Sequence, residues 1–214
     1  MFGVRYVKSS PSHYLMQFQN GKVVREGTGL AFFYFAPKST LVSVPLNAVD
    51  IPFMFEETTR DFQAVTLQGQ VGYRIVQPKT LAEQQNFVLL PNGAYASEDP
   101  ERLPIRVLNA VKAQFRALLQ EADLREVLHG TEQLSKTARQ GLAAAPSLIA
   151  LGIEIVDLAL LAAKPTPETS RALEAPMREE ILKQADDATY ARRNAAIAQE
   201  QMIKESELRS ELVI

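Results

Sequence analysis

Catalysis in a chain of 214 residues would need nucleophiles, acid–base pairs or metal ligands gathered by spacing, and this sequence offers few. Its two histidines, His13 and His129, stand at a predicted strand start and a predicted helix end. With no cysteine present, two isolated histidines do not make a zinc site. His129 before Gly130 suits the negative end of a helix dipole instead. Glu56-Glu57 and Asp61 cluster around a predicted turn. Paired catalytic carboxylates face each other across a cleft, and nothing nearby signals one, so the cluster reads as a solvated turn. Asp186-Asp187 cannot face one way on a helix, and with Arg192-Arg193 they read as surface ion pairs. Gly69-x-x-Gly72 lies inside a strand pattern and lacks the helix that follows a phosphate-binding glycine loop. Ser12 and Ser147 carry no nucleophile signature. The expectation is no catalytic residue, no metal site and no cofactor: not an enzyme.

The totals agree with that expectation. Apolar residues make up 46 % and charged residues 22 %, the balance of a globular chain. A net charge of −2 carries no basic footprint, which argues against nucleic acid as a partner. The absence of cysteine removes disulfides and thiolate chemistry together and makes the cytosol the default compartment. No run approaches the roughly 18–20 apolar residues that span a bilayer. The start, "MFGVRYVKSS", has neither a signal-peptide design nor the second-position Gly of N-myristoylation.

Strands dominate the first half. Tyr14 to Gln19 alternates, Asn20-Gly21 supplies the turn of a tight hairpin, and Lys22 to Glu26 returns toward Gly27-Thr28-Gly29. "LAFFYF" and "TLVSVPL" follow, then "VDIPFMF", in which Pro52 marks an edge strand or a bulge. The clearest strand runs from Asp61 to Val76. Val65, Leu67, Val71, Tyr73 and Ile75 line one face, and Thr66, Gln68, Gln70 and Arg74 the other. Gly69 and Gly72 within it predict a bulge or a close backbone approach.

Helices come next. "KTLAEQQNFVLL" suits a short one, and Pro91 to Pro100 reads as a polar loop. From Pro104, Val107, Val111, Phe115 and Leu118 repeat at helical spacing, and Leu124, Val127 and Leu128 extend the stripe to Gly130. A further helix runs from Thr131 toward Leu151-Gly152, shortened or bent by Pro146. "IEIVDLALL" is a returning strand by its β-branched content. Residues 1–165 therefore form an α+β module, with a division into two subdomains near residue 60 as an option.

Residues 166–214 form a second segment. Thr166 can cap, Pro167 suits a first helical position, and Glu168 favours the positive end of the dipole. From Pro176 on there is no glycine or further proline, which predicts a long, Ala/Glu-rich helix. Met177, Ile181, Ala188, Ala191, Ala195, Ala198 and Met202, with Gln184 among them, form a seam of heptad spacing. Its alanines bury too little area to hold two isolated helices together, yet they allow close approach once something else sets the register. The helix should project and meet copies of itself.

In this order the pieces resemble the SPFH family, the stomatin–prohibitin–flotillin or Band 7 proteins. "GTGLAFFYFAPKSTLVSVPL" is similar to that family's Gly-Leu-Phe-Phe-x-x-x-Pro hairpin and following strand. "TTRDFQAVTLQGQVGYRIVQPKTL" is similar to its long strand, matching at Asp61, Val65, Leu67, Val71, Tyr73 and Arg74. "LHGTEQLSKTARQGLAAAPSLIALGIEIVDLAL" resembles the portion that closes the domain, and "ADDATYARRNAAIAQEQMIKESELRSEL" the helix after it. The resemblance implies an α+β fold with a mixed sheet, packed helices and a long projecting helix. It also implies a non-enzymatic scaffold whose copies assemble side by side into rings or cages that organise a membrane surface or client proteins. A regulator bound to a membrane protease or another client in a small complex is the alternative. The sequence departs from the family in starting almost directly with strands, without an anchor ahead of them, and in placing Pro176 inside the helix, where it predicts a kink or a joint between helices. "SELRSELVI" ends without cap or breaker, as though the helix continued.

The run Phe32-Phe33-Tyr34-Phe35 raises a question that alternation alone does not answer. In a strand Phe33 and Phe35 face one side, Phe32 and Tyr34 the other. One pair belongs to the sheet core, and the second has three destinations open to it: the core, a neighbouring subunit, or lipid. If assembly requires a membrane, Phe32 and Tyr34 are the pair expected at the lipid surface. The expected placement is cytoplasmic, with a peripheral position at the inner face of a membrane as the variant.

Overall fold

Asn20 and Gly21 both adopt left-handed backbone, with φ of 51° and 75°, and turn β2 (His13–Gln19) tightly into β3 (Lys22–Thr28). That is the primed turn whose twist matches an antiparallel pair. The computed structural model describes residues 3–211. The chain clusters into two units, Met1–Pro165 and Thr166–Ile214.

Three antiparallel sheets build the first unit. A two-stranded ribbon pairs β1 (Val4–Lys8) with β4 (Ala31–Phe35). A four-stranded sheet has the order β3-β2-β5-β8, with β5 at Thr40–Pro45 and β8 at Val88–Leu89. The third sheet has the order β6-β7-β9, where β6 is Val49–Thr58, β7 Ala64–Ile75 and β9 Ile153–Pro165. The chain passes from the second sheet to the third at residues 46–48, and residue 60 lies in the β6–β7 turn. Pro52 sits on β6, an edge strand, where a missing N–H costs the ladder least.

The alternation expected of β7 is present. Val65, Leu67, Val71, Tyr73 and Ile75 are buried, and Gln68, Gln70 and Arg74 are exposed. Both glycines sit at irregularities of the sheet, and Gly69 has a steric reason as well. The β7–β9 register shifts between Gln68 and Gly69 and again between Gly72 and Tyr73. A Cβ on Gly69 would stand 2.3 Å from the Ala159 carbonyl oxygen and 2.6 Å from the Phe53 ring, so no side chain fits.

Helix α2 (Asp99–Leu119) places Leu103, Val107, Val111, Phe115 and Leu119 in the core, and the rings of Phe115 and Phe53 stand 5.7 Å apart. Each such side chain contributes about 1.5–3 kcal/mol relative to exposure. The short helices α1 (Pro78–Gln84), α3 (Leu124–His129) and α5 (Pro146–Ala150) and the longer α4 (Thr131–Ala143) complete the layer.

Three expectations change here. Helix α2 starts at Asp99 rather than Pro104: Asp99, Pro100 and Glu101 make a good first turn, and the helix tolerates Pro104 at the loss of one hydrogen bond. The apolar stripe does not run unbroken to Gly130, because Asp123 and Glu126 form a capping box that starts α3 anew. Val88-Leu89, expected within a helix, is the strand β8. The Asn86 side chain accepts a hydrogen bond from Val88 N at 3.0 Å, and Asp99 accepts one from Asn86 N at 2.9 Å, after α1 has ended.

The second unit is one helix, α6 (Pro167–Glu211). Thr166 caps it: its Oγ1 accepts from Thr169 N at 3.4 Å and pairs with Thr169 Oγ1 at 2.9 Å. The helix continues through Pro176 as a single element, so the expected joint between helices does not form. One hydrogen bond is lost there, and strong helix formers on both sides outweigh it. At 1.5 Å per residue it measures roughly 65 Å. Among the described residues no helix is long and apolar enough to cross a membrane. The reading of the chain's final residues falls on 212–214, and that of Met1-Phe2 on the first two; both lie outside the described residues.

Gly69→Ala should destabilise the first unit by about 1–3 kcal/mol or more, because backbone lines one side of the clash. Thermal denaturation would register this as a clear fall in Tm, and an unchanged Tm would contradict the packing described.

Candidate interaction surfaces

Among the described residues, the sequence's candidate chemical groups stand apart from one another. His13 Nδ1 lies 3.2 Å from Ser12 Oγ, His129 ends α3, and no three His, Asp or Glu residues are placed to hold a metal among the described residues. What the molecule offers is a set of unusual surfaces.

The first is the ribbon. Its register pairs Val4 with Phe35, Tyr6 with Phe33, and Val7 with Phe32. Val4, Tyr6, Phe33 and Phe35 therefore share one face, which is exposed, Phe33 by 70 %; the Tyr6 and Phe33 rings lie 5.0 Å apart. Lys8, paired with Ala31, continues the same face. Phe32 and Tyr34 are half-buried on the other side, where Arg25 of β3 stands 4.8 Å over the Phe32 ring. Arg5 ties that side to the Pro91 carbonyl at 2.7 Å. None of the four aromatics enters a sealed core, and the outward pair is Phe33 and Phe35 rather than Phe32 and Tyr34. The reason is the partner: β4 pairs with β1, and Arg25 covers the face that β3 can reach.

The acidic cluster divides in two. Glu57 is not solvated: its side chain is 5 % exposed and shares the inward face of β6 with Phe53 and Phe55. Arg116 of α2 reaches it through Nε and Nη2 at 2.9 and 3.3 Å, and Lys112 lies 3.6 Å away. Because Arg116 and Lys112 remain about half in water, these contacts fix α2 against β6 more than they add stability.

Asp61 belongs to the β6–β7 turn, which is held to an unusual degree. Buried Thr59 donates to Asp61 and to the Gln63 carbonyl at 3.0 Å, and Phe62 N donates to the Thr59 carbonyl at 3.0 Å. Arg60 grips Asp123 in a fork at 3.0 and 2.7 Å and donates to the Glu121 carbonyl at 3.1 Å. Asp61 also accepts from Leu124 N at 3.2 Å, on the first turn of α3. The Thr59 hydroxyl, outweighing partial desolvation and aided by Leu124 N, holds the Asp61 carboxyl below the usual carboxylate range. Amid this network Phe62 stands 88 % exposed at φ 59°, a region that bulky residues avoid. The loop is fixed, and its large apolar side chain touches water. No sequence signal distinguished Phe62 from its neighbours.

In the second unit the seam residues Met177, Ile181, Ala188, Ala191, Ala195, Ala198 and Met202 are all exposed. At 100° per residue they fall within an arc of about 100°. Leu182, Tyr190 and Ile197, also exposed, lie on the opposite side of the same helix. The helix thus carries two separate apolar lines, one of alanines flanked by Met177, Ile181 and Met202, and one of large residues only.

Two measurements test the turn. Phe62→Gly should leave the unit as stable as before or up to about 1 kcal/mol more stable, since glycine accepts this backbone and no buried area is lost. A loss beyond 1 kcal/mol in urea denaturation would mean that the ring packs. For Asp61 the folded pKa is depressed, so its stabilisation is complete above the ordinary value near 3.9 and is lost as pH falls through the lower folded value. The stability gap between the wild type and Asp61→Asn should therefore stay constant from about pH 7 to 5 and close below about pH 4. A gap that closed near pH 6 would show a different group at work.

A search among curated proteins finds no match. A protein-family model does match: that of the SPFH domain / Band 7 family, over residues 7–203. The match runs through all three sheets, the helical layer and most of α6, in keeping with the mixed α+β architecture and the long C-terminal helix. The chain belongs to the SPFH domain / Band 7 family.

Proposed function

We propose that this protein is a non-enzymatic scaffold whose copies assemble side by side, into a ring or cage, to organise a membrane surface or the clients held there. SPFH proteins are membrane-associated scaffolds and regulators, generally without enzymatic activity, and they typically oligomerise. The observation that carries the reading for this chain is the outward apolar face of the ribbon, Val4, Tyr6, Phe33 and Phe35, with Lys8 continuing it. Tyrosine and phenylalanine suit a boundary between water and lipid, and one lysine adds attraction to anionic headgroups. For a single copy this is weak, reversible contact. Many copies held in one assembly turn it into firm attachment.

The helix supplies the second contact in this reading. Met177, Ile181, Ala188, Ala191, Ala195, Ala198 and Met202 let one neighbouring helix approach closely, while Leu182, Tyr190 and Ile197 can meet another on the far side. A helix with neighbours on both sides is what a ring of parallel copies requires.

Mass photometry of the chain, alone and with vesicles of mixed neutral and anionic lipid, tests the reading. A large discrete particle is expected, and Ala191→Glu combined with Ala195→Glu should break it into small species. Phe33→Ser should lower vesicle co-sedimentation about tenfold or more, following the roughly 1.5–3 kcal/mol of one buried phenylalanine. Unchanged particle size in the double variant would remove the seam from the reading. A stoichiometric client complex with no homo-oligomer would instead identify a regulator of a membrane protease or another client.

A further inference from the structure

We propose that the hollow at the end of β1 binds the phosphate headgroup of an anionic lipid, held by Lys8, His13 and the Ser43 hydroxyl. This inference rests on the membrane contact in the reading above and names the headgroup chemistry that accompanies it.

The register of the four-stranded sheet builds the floor. β2 and β5 pair His13 with Pro45 and Leu15 with Ser43, and β5 and β8 pair Leu41 with Leu89, so His13, Leu15, Ser43 and Leu89 share one face. Residues 7–10, where β1 ends and the chain turns toward β2, form one wall, and Gly93 and Tyr95 form the other. Together they bound an open space of about 330 Å³, room for a phosphate and its glycerol ester.

The groups facing this space suit an anion. Ser43 is only 6 % exposed, and its backbone is satisfied: its N–H donates to the Phe87 carbonyl at 3.0 Å, and its carbonyl accepts from the Tyr95 hydroxyl at 3.1 Å. Its own hydroxyl lines the hollow and has no hydrogen-bond partner among the described residues. A polar group buried in this way costs free energy until something in the hollow meets it. Lys8 pairs with no carboxylate among the described residues, and the lining contains neither Asp nor Glu, so its charge is left for a ligand. Ser12 Oγ lies 3.2 Å from His13 Nδ1; with that hydroxyl donating, Nε2 carries the ring proton and is a donor as well. An ammonium, an imidazole N–H and a hydroxyl form a donor set that phosphate oxygens satisfy through charge-assisted hydrogen bonds.

Position selects the lipid as the source of the phosphate. Lys8 lines the hollow and also continues the outward face of Val4, Tyr6, Phe33 and Phe35. A headgroup held there would leave its acyl chains beside the aromatic side chains. One lysine and two neutral donors bind a free phosphate weakly, whereas a membrane supplies headgroups at high local concentration and many copies multiply the contact. A phosphate monoester fits best, since it offers three acceptor oxygens and a charge of roughly −1.5 to −2.

Vesicle co-sedimentation of the full chain tests this. Phosphatidylcholine vesicles would carry either phosphatidic acid, a phosphate monoester, or phosphatidylglycerol, a diester, at matched surface charge. The wild type should bind the phosphatidic acid vesicles about tenfold more tightly. Ser43→Ala removes only the buried hydroxyl and leaves the net charge unchanged, so it should lower that ratio about three- to tenfold. Lys8→Gln, at an exposed position, should lower the ratio too, independently of any effect on folding. Phe33→Ser should weaken binding to both vesicles alike and leave the ratio as it was. Equal binding of the wild type to both vesicles, or a ratio that Ser43→Ala and Lys8→Gln leave unchanged, would overturn the proposal and leave the membrane reading standing. A melting temperature raised by inorganic phosphate, with no preference between vesicles, would assign the hollow to a free anion and overturn the lipid as its ligand. A wild type that binds neither vesicle would overturn both readings.

Discussion

The close approach of backbones at Gly69 is the constraint on which the rest of the first unit depends. β7 is the middle strand of its sheet, and at this point the Ala159 carbonyl of β9 and the Phe53 ring of β6 converge where a side chain would otherwise stand. That lets Phe53 reach Phe115 of α2, which carries the apolar stripe of the helical layer into the core. From this junction β7 extends in both directions. One end leads to the clamped turn at Phe62 and the other to Gln77-Pro78.

The interactions at the surface do a different job from those in the core. Exposed ion pairs contribute little stability, and the Arg60–Asp123 pair has both partners about half in water. Its value is geometric, since it fixes a turn to the start of α3. The same holds for Glu57 with Arg116 and Lys112, which set α2 on β6. The molecule thus uses polar contacts to aim elements that apolar burial already holds together. At Phe62 it goes further and keeps a residue in costly backbone while burying little of it. Glycine would accept the same backbone without that cost.

Among the described residues, the exposed apolar side chains include the outer face of the ribbon, Phe62 and the two lines on α6. Single exposed apolar residues are ordinary on protein surfaces. A paired aromatic face, a fixed aromatic knob and a long helix with two apolar lines are less so, and each suits a chain that works in company. They also differ in how far the sequence revealed them. The seam on α6 was legible because a helix repeats every 3.6 residues whatever it touches. The aromatic run was legible as apolar but not as outward-facing, because alternation tells which residues share a face and not which face is covered. Phe62 was invisible, since its backbone conformation is imposed by residues on both sides of the turn and by α3.

By itself the sequence determined the period-two faces of β7, the Asn20-Gly21 turn and the capped start of α6 at Thr166. Each follows from local sterics or from bonds within a few residues. The capping box at Asp123 and Glu126 was equally local, and it was missed because the apolar stripe runs across it. Only the tertiary structure decided that Glu57 is buried, that Phe33 and Phe35 face outward, and that Phe62 is held in left-handed backbone. Those outcomes depend on partners far along the chain: Arg116 lies 59 residues from Glu57, and Asp123 lies 63 from Arg60. Which side of a strand is covered depends on what folds back onto it, and no local pattern carries that information.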